Sequence, residues 1–369
     1  MKVTIVAGAR PNFIKIAPII KEIKSNQKNG RSIEYRLVHT GQHFDKKMSS
    51  DFFEQLEIPE PDINLDAGGG SQAEQTAAIM IRFEKELFQN RPDIVLVVGD
   101  VTSTMACAIT AKKLCIPVAH VEGGLRSRDW TMPEEINRIV TDSISDHFFT
   151  TSESANKNLL SEGVNERQIH FVGNTMIDTL YHNIEHLKTP QIWNELDLSK
   201  GSYFIITLHR PANVDSLENL QSILNTILEN TSDFKILFPV HPRTNRILKE
   251  MDFKNERLIQ MEPLPYLEFV YLIKNAKAII TDSGGITEEA TVLNIPCITL
   301  RNSTERPETV TIGTNELVGT DLTSLNKYFK SILSNEWKKG EIPNLWDGKT
   351  SSRIVLELLT LYGNDQSNK

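Results

Sequence analysis

A chain of 369 residues with 39% hydrophobic content can bury two cores of ordinary size, and a single domain of this length would be unusual outside a barrel. A formal net charge of −8 argues against general affinity for nucleic acid or acidic membranes, both of which call for a basic surface. Any anion it binds must be met by locally placed arginines and backbone N–H groups.

The first residues, MKVTIVAGARP, enter an apolar strand pattern at once. No window approaches the ~18 continuous apolar residues of a membrane span, so a soluble cytoplasmic protein is expected. Strand patterns occupy Val3–Gly8, Ile33–Gly41, Asp93–Asp100, Pro117–Gly124 and His147–Ser152, separated by helical stretches such as FIKIAPIIKEIK, QAEQTAAIMIRFEKELF and PEEINRIVTDSIS. The scheme repeats at Tyr203–Arg210, Phe234–His241, RLIQM, KAIITDSG and PCITL. Such alternation is the sequence form of a doubly wound parallel sheet, and its repetition predicts an α/β protein of two Rossmann-like domains. The boundary is expected between Val172 and Ser202, where Pro190 interrupts a polar stretch; it divides residues 1–172 from 173–349. The closing segment SSRIVLELLTLY, within residues 350–369, has helical spacing and is a candidate to pack back on the first domain. Three cysteines, Cys107, Cys115 and Cys297, lack C-x-x-C spacing and read as buried reduced thiols.

In open parallel sheets, ligands bind beyond the carboxyl ends of the strands, where loops and helix N-termini converge. The polar and glycine-rich residues of this chain fall repeatedly at such ends. GARPNFIK follows the first strand pattern and supplies a tight turn, Arg10, Pro11 at a helix start, and Lys15 about one turn further along. Gln42 and His43 follow the second, Asp100 with Thr102, Ser103 and Thr104 the third, and Glu122, Gly123, Gly124 and Arg126 the fourth. MPEEINR then adds Glu134 and Arg138. Each alone is an ordinary cap or first-turn residue. Together, the carboxylates Asp100, Glu122 and Glu134 with the cations Arg10, Lys15 and Arg138 combine proton-transfer groups with anion partners.

The second half offers a different set. His209-Arg210 and His241-Pro242-Arg243 end two strand patterns, and Asp282-Ser283-Gly284-Gly285 ends a third. The glycines of that turn let a ligand approach the backbone, and the helix behind it favours negative charge. Glu289 on that helix can accept hydrogen bonds from a ribose diol, and Arg301 and Arg306 lie downstream in RNSTERPETVTIG, so the set suits a nucleoside diphosphate. Neither G-x-x-x-x-G-K-[ST] nor G-x-G-x-x-G is present, so neither P-loop phosphate transfer nor a dinucleotide is indicated. G-x-S-x-G is missing too. His39 and His43 stand on a strand-to-loop segment where their spacing does not put both rings on one face, and no metal is expected even with His120 and Glu122 nearby in sequence.

The stretches GARPNFIKIAP, HTGQHFD, GDVTSTMA, HVEGGLRS, MPEEINR, GNTMIDTL, LHRPANVD, PVHPR, TDSGGITEEA and RNSTERPETV together resemble the non-hydrolysing UDP-N-acetylglucosamine 2-epimerases, in that family's order from Gly8 to Val310. The resemblance implies a glycosyltransferase type B-like fold, two Rossmann-like domains facing across a cleft that holds the sugar, with uridine diphosphate bound mostly by the second. It implies that Arg10, Lys15, Asp100, Glu122, Glu134, Arg138 and His209 line the reacting centre, and that Ser283, Gly284, Gly285, Glu289 and Arg306 hold diphosphate and ribose. In some members Gln42 and His43 match a second, regulatory UDP-sugar site. The expected reaction interconverts UDP-GlcNAc and UDP-ManNAc for surface polysaccharide supply, without cofactor, in a homodimer. Alternatives are a 2,3-diacetamido uronic UDP-sugar as substrate, hydrolytic release of ManNAc, or glycosyl transfer from a UDP-sugar.

Overall fold

The apolar runs pair as parallel strands. In chain order these are β1 (Lys2–Ala7), β2 (Glu34–His39), β3 (Ile63–Asn64), β4 (Ile94–Val98), β5 (Val118–Val121), β6 (His147–Thr150) and β7 (Ile169–Phe171), then β8 (Tyr203–Thr207), β9 (Lys235–Pro239), β10 (Leu258–Met261), β11 (Ala278–Thr281), β12 (Cys297–Thr299) and β13 (Asn315–Leu317). The structure, a computed structural model, describes residues 1–41, 53, 55–240, 242–251, 253–319 and 322–363. Its chain divides into two units, Met1–His182 with Asn344–Lys369, and Asn183–Pro343.

The first unit carries a seven-stranded sheet in the order β3-β2-β1-β4-β5-β6-β7, the second a six-stranded sheet in the order β10-β9-β8-β11-β12-β13. All pairings are parallel, for example Ile5 with Leu37 and Leu96, and Thr207 with Thr281. Both orders reverse direction once, between β1 and β4 and between β8 and β11, and at such a point the loops after two neighbouring strands diverge to opposite faces and open a crevice. Strand alternation buries both faces of the second sheet: Phe204 and Ile206 pack into one core cluster while Tyr203 and Ile205 pack into another.

Three strands depart from the expected pattern. β3, β7 and β13 are edge or near-edge strands of two or three residues, too short to show a period against their polar surroundings. The thiols also differ: Cys107 and Cys297 are buried, whereas Cys115 is exposed, because it follows the Thr102–Lys113 helix in a left-handed turn at φ 55°.

The unit boundary follows His182 because the Thr175–Asn183 helix is fastened to the first sheet's layers: Thr179 Oγ1 donates to Ile14 O at 2.6 Å. Asp178 accepts from the amides of Thr350 and Ser351 at 3.0 and 2.6 Å, which seats the closing Thr350–Tyr362 helix in the same unit. Buried Trp346 donates to Thr151 O at 2.9 Å just before it.

Candidate active site

The rim of the first unit is assembled at its direction reversal. Asn12, in the first turn of the Arg10–Lys28 helix, accepts from the amides of Gly8 and Ala9 at 3.1 and 3.0 Å and donates to Val98 O at 2.9 Å. One side chain thereby ties the end of β1 to the end of β4, and sets Lys15 on the same helix against the end of β5. Lys15 Nζ lies 2.6 Å from Glu122 Oε2, with the carboxylate buried. Gly99 makes room for the pair: at φ +69°, a Cβ there would sit 3.2 Å from Lys15 Nζ and 3.5 Å from Glu122 Oε2. Glu122 itself takes φ 71°, a left-handed conformation that costs a non-glycine residue about 1–3 kcal/mol and concentrates at functional sites.

Asp100, the residue after Gly99, meets Arg138 Nη2 at 2.5 Å, while Asn137 Nδ2 donates to Asp100 O at 2.8 Å. Arg138 is buried and its other Nη meets Glu135 at 2.7 Å. Burial alone would raise the Glu135 carboxyl, but the amides of Ser127 and Arg128 and the Arg138 guanidinium hold it below the ordinary carboxylate value. Glu135 therefore anchors Arg138 and the preceding loop, a role the motif MPEEINR did not disclose. Glu134, its neighbour, is exposed on the first turn of the Pro133–Ile144 helix, where a carboxylate is free to meet a ligand. Arg10 stands half-buried at the start of its helix, and burial pulls its guanidinium below the ordinary pKa.

At the direction reversal of the second unit, the buried Asp282 organises the turn. Its carboxylate lies 2.7 Å from His209 Nδ1 and accepts from the amides of His209 and Arg210 and from Asn213 Nδ2 at 2.9–3.2 Å. Burial would raise this carboxyl, but His209, the Arg210 amide and Asn213 outweigh it and hold the group ionised below the ordinary value. The His209 ring, half exposed, is left with Nε2 directed away from Asp282. Ser283 occupies the N-cap position of the Gly284–Val292 helix without a capping bond from its side chain, and Ser283, Gly284 and Gly285 leave the helix's first N–H groups at a partly open surface.

Behind the turn, Glu289 is buried beside Tyr266 and its carboxyl is pushed up to about 7, by burial first and by the neighbouring Glu288. Arg306, also buried, is in ion-pair contact with Glu288. Arg301 pairs with Glu305 at 2.6 Å, and a Cβ on Gly284 would lie 2.5 Å from Glu305 Oε1, so only glycine admits that pair against the turn.

Gln42, His43 and His241, and the side chain of Arg243, lie outside the described residues. His39 is buried against Phe13 with its Nδ1 3.3 Å from Asn64 Oδ1, and His120 is buried among other partners. Among the described residues, no group of three or more His, Cys, Asp and Glu side chains is arranged to hold a metal ion. Asn12 and Glu135 are site residues that motif reading passed over, and Asp282 was named with its turn but given no role of its own. The one signal available for Asp282 is its position directly after an apolar run and before two glycines.

The chain is similar to known proteins along most of its length. The model of the family described as UDP-N-acetylglucosamine 2-epimerase matches residues 25–359. The UDP-N-acetylglucosamine 2-epimerase of Methanocaldococcus jannaschii is 43% identical over 376 residues, covering 98% of this chain and 100% of that protein. A UDP-2,3-diacetamido-2,3-dideoxy-D-glucuronate 2-epimerase of Pseudomonas aeruginosa is 40% identical over 325 residues, 86% of this chain and 88% of the relative. The crystal structure of the M. jannaschii enzyme in complex with UDP-GlcNAc and UDP matches with a TM-score of 0.86 at 42% identity, covering 98% of this chain and 100% of that one. The two doubly wound units are of the glycosyltransferase type B-like class. By family match, relatives and fold together, the chain belongs to the UDP-N-acetylglucosamine 2-epimerase family and is a carbohydrate epimerase.

Proposed function

We propose that the chain interconverts UDP-GlcNAc and UDP-ManNAc by elimination and re-addition of UDP. The observation that carries this reading is a pair of carboxylates, Asp100 and Glu122, on the ends of adjacent strands, each held by its own cation, Arg138 and Lys15. The C2 proton of an N-acetylhexosamine has no carbonyl beside it in the ring, so its direct removal would leave a poorly stabilised carbanion. The reaction instead starts at C1. The C1–O bond breaks with its electron pair leaving on UDP, and the oxocarbenium character that develops acidifies C2–H. A carboxylate takes that proton, and the C–H pair becomes the C1=C2 bond of a 2-acetamidoglucal. Delivery of a proton to the opposite face of C2 and return of the UDP oxygen to C1 give the epimer.

Two faces require two proton-transfer groups, drawn from Asp100, Glu122 and Glu134. Arg10, His209 held by Asp282, the Ser283–Gly285 turn and Arg306 stabilise the departing diphosphate, Arg138 orients Asp100, and Glu289 takes the ribose. A regulatory UDP-sugar site at Gln42 and His43 is part of the proposal.

Incubation with UDP-GlcNAc in D2O, followed by NMR, tests this reading. Deuterium at C2 with UDP still attached is the expected result; free ManNAc would indicate hydrolysis, and no exchange at C2, with UDP released only when an acceptor is added, would indicate a transferase. The relative at 40% identity favours a second substrate, the corresponding UDP-2,3-diacetamido uronic acid, which is run in parallel.

We also infer a homodimer in the cytoplasm. Ile81 and Phe88, seven residues apart on the Gln72–Gln89 helix, are 57% and 69% exposed, an apolar face of the kind a second copy covers. Three free cysteines, one of them exposed, suit a reducing compartment.

A further inference from the structure

His120 is fully buried on β5, one residue inside Val121 and Glu122, and both of its ring nitrogens face oxygens that accept. Nε2 is 2.8 Å from the carbonyl oxygen of Gly99, and Nδ1 is 2.6 Å from Asp142 Oδ1. A carbonyl oxygen only accepts, so Nε2 carries a proton. The Asp142 carboxylate accepts as well, since Oδ2 already takes the amide of Gly124 at 2.9 Å and Arg126 Nη1 at 2.7 Å. The ring is therefore held through both of its nitrogens. Arg126 is tethered in turn to Glu162 at 2.5 Å, and Asn158 Nδ2 donates to Gly124 O at 2.9 Å.

These bonds reach two of the three carboxylates proposed to carry the chemistry. Gly99 is the residue before Asp100, and Gly124 is two residues after Glu122. Asp142 stands on the Pro133–Ile144 helix, which also carries Glu134 and Arg138. Gly99 and Gly124 take the left-handed conformation that glycine adopts readily, but Glu122 takes it too, at a cost to a non-glycine residue that the surrounding bonds must offset. At Gly124 a Cβ would fall 2.5 Å from Ala155 O, so the turn has no slack on its far side.

We propose that His120 and Asp142 are positioning residues that set the spacing of Asp100 and Glu122, His120 gripping the Asp100 turn and Asp142 the Glu122 turn. The inference rests on the assignment of those two carboxylates as proton-transfer groups. Such a clamp matters to this reaction in particular, because one carboxylate must take a proton from a carbon and another must return one to its opposite face before the glycal escapes. If the spacing slips, the first step outlives the second, and turnovers end as free 2-acetamidoglucal and UDP instead of as epimer.

The test measures kcat, KM, UDP affinity by calorimetry, and the ratio of free glycal to epimer for His120→Asn and Asp142→Ala, each of which cuts one grip. Asp142→Asn serves as the rescue, because its amide can donate to a neutral His120 Nδ1 and its oxygen can accept from the Gly124 amide. The expected result for either cut is a kcat lower by on the order of 10- to 100-fold, as for other small misplacements of reacting groups, with UDP affinity near wild type and a raised glycal-to-epimer ratio. Asp142→Asn should bring the ratio back toward wild type.

Folded His120→Asn and Asp142→Ala with wild-type kcat and product ratio overturn the proposal. So does a fall in kcat with UDP affinity falling in parallel and the ratio unmoved, which is the mark of general damage. If one cut fails to fold, the other decides. Asp100→Asn and Glu122→Gln run alongside: if these retain turnover, the carboxylate assignment has failed, whereas if they lose it and the two cuts do not, only the clamp has.

Discussion

Asp282 holds His209 at two points, by the ring through Nδ1 at 2.7 Å and by the backbone amide at 3.1 Å. The imidazole is thereby fixed in one tautomer and one orientation by a carboxylate with no exposure to solvent. Replacement by Asn keeps the shape and removes the charge. Asp282→Asn should lower kcat by roughly 10²-fold, in the range of a lost acid–base or orienting contribution, with a stability loss of about 1–3 kcal/mol for the mismatched buried group. Steady-state kinetics and thermal melts read the two effects, and a wild-type kcat would show that His209 needs no orienting partner.

The proton-transfer assignment is tested more directly at C2. Asp100→Asn and Glu122→Gln should each slow deuterium exchange by roughly 10²- to 10⁴-fold while calorimetry finds UDP binding intact, because neither residue belongs to the unit that carries the Ser283–Gly285 turn. Exchange at the wild-type rate in both variants is incompatible with the assignment.

Glu289 adds a pH dependence. Its carboxyl is raised from the ordinary 4.5 to about 7. The folded state therefore holds a proton that the unfolded chain releases between those values. The associated stability is fully present below pH ~4.5 and is lost as pH rises through ~7, by about 3 kcal/mol. Melts of wild type and Glu289→Gln across this window should diverge, the variant gaining relative stability at the alkaline end. UDP binding should strengthen through the same window in wild type, as the ionised carboxylate becomes available to the ribose, and stay flat in the variant.

A second window concerns the closing helix. His147 Nε2 is 3.0 Å from Tyr362 OH, and His170 Nδ1 is 3.1 Å from Glu357 on that helix. Burial pulls both imidazoles below the ordinary 6.5; His170 also depresses His147, while Glu357 raises both, insufficiently. With depressed folded values, the stability contribution is present above pH ~6.5 and is lost as pH falls through the folded values. His147→Phe should flatten the acid limb of the melting profile, and unchanged acid sensitivity would remove His147 as its source.

Assembly gives a further check. If the Ile81 and Phe88 face is covered by a second copy, light scattering should report a dimer for the wild type and a monomer for the Ile81→Lys, Phe88→Lys pair. A dimeric double variant would place the interface elsewhere.

Much of this architecture was legible because buried parallel strands read as apolar runs and because polar residues gathered at their ends. What stayed hidden depended on adjacency that sequence order does not carry. Asp282 meets His209 because β8 and β11 pair directly in the sheet although β9 and β10 separate them in sequence, with Thr207 opposite Thr281. The division of labour in MPEEINR depends on helical phase: the step from Glu134 to Glu135 turns the side chain by about 100°, from the surface into the layer where Arg138 lies. Asn12 looked like an ordinary first-turn residue, and its bond to Val98 O joins segments far apart in sequence.

The seating of the Thr350–Tyr362 helix on Asp178 bears on how the chain is made. The first unit is written in two instalments, with the whole of Asn183–Pro343 between them. During synthesis its sheet is complete long before its last layer emerges, and the apolar side of that helix, Ile354, Val355 and Leu358, arrives only at the end. The second unit, continuous in sequence, can close first. A chain that ends shortly before residue 344 would therefore carry every strand of both sheets and still lack the helix that closes the first unit.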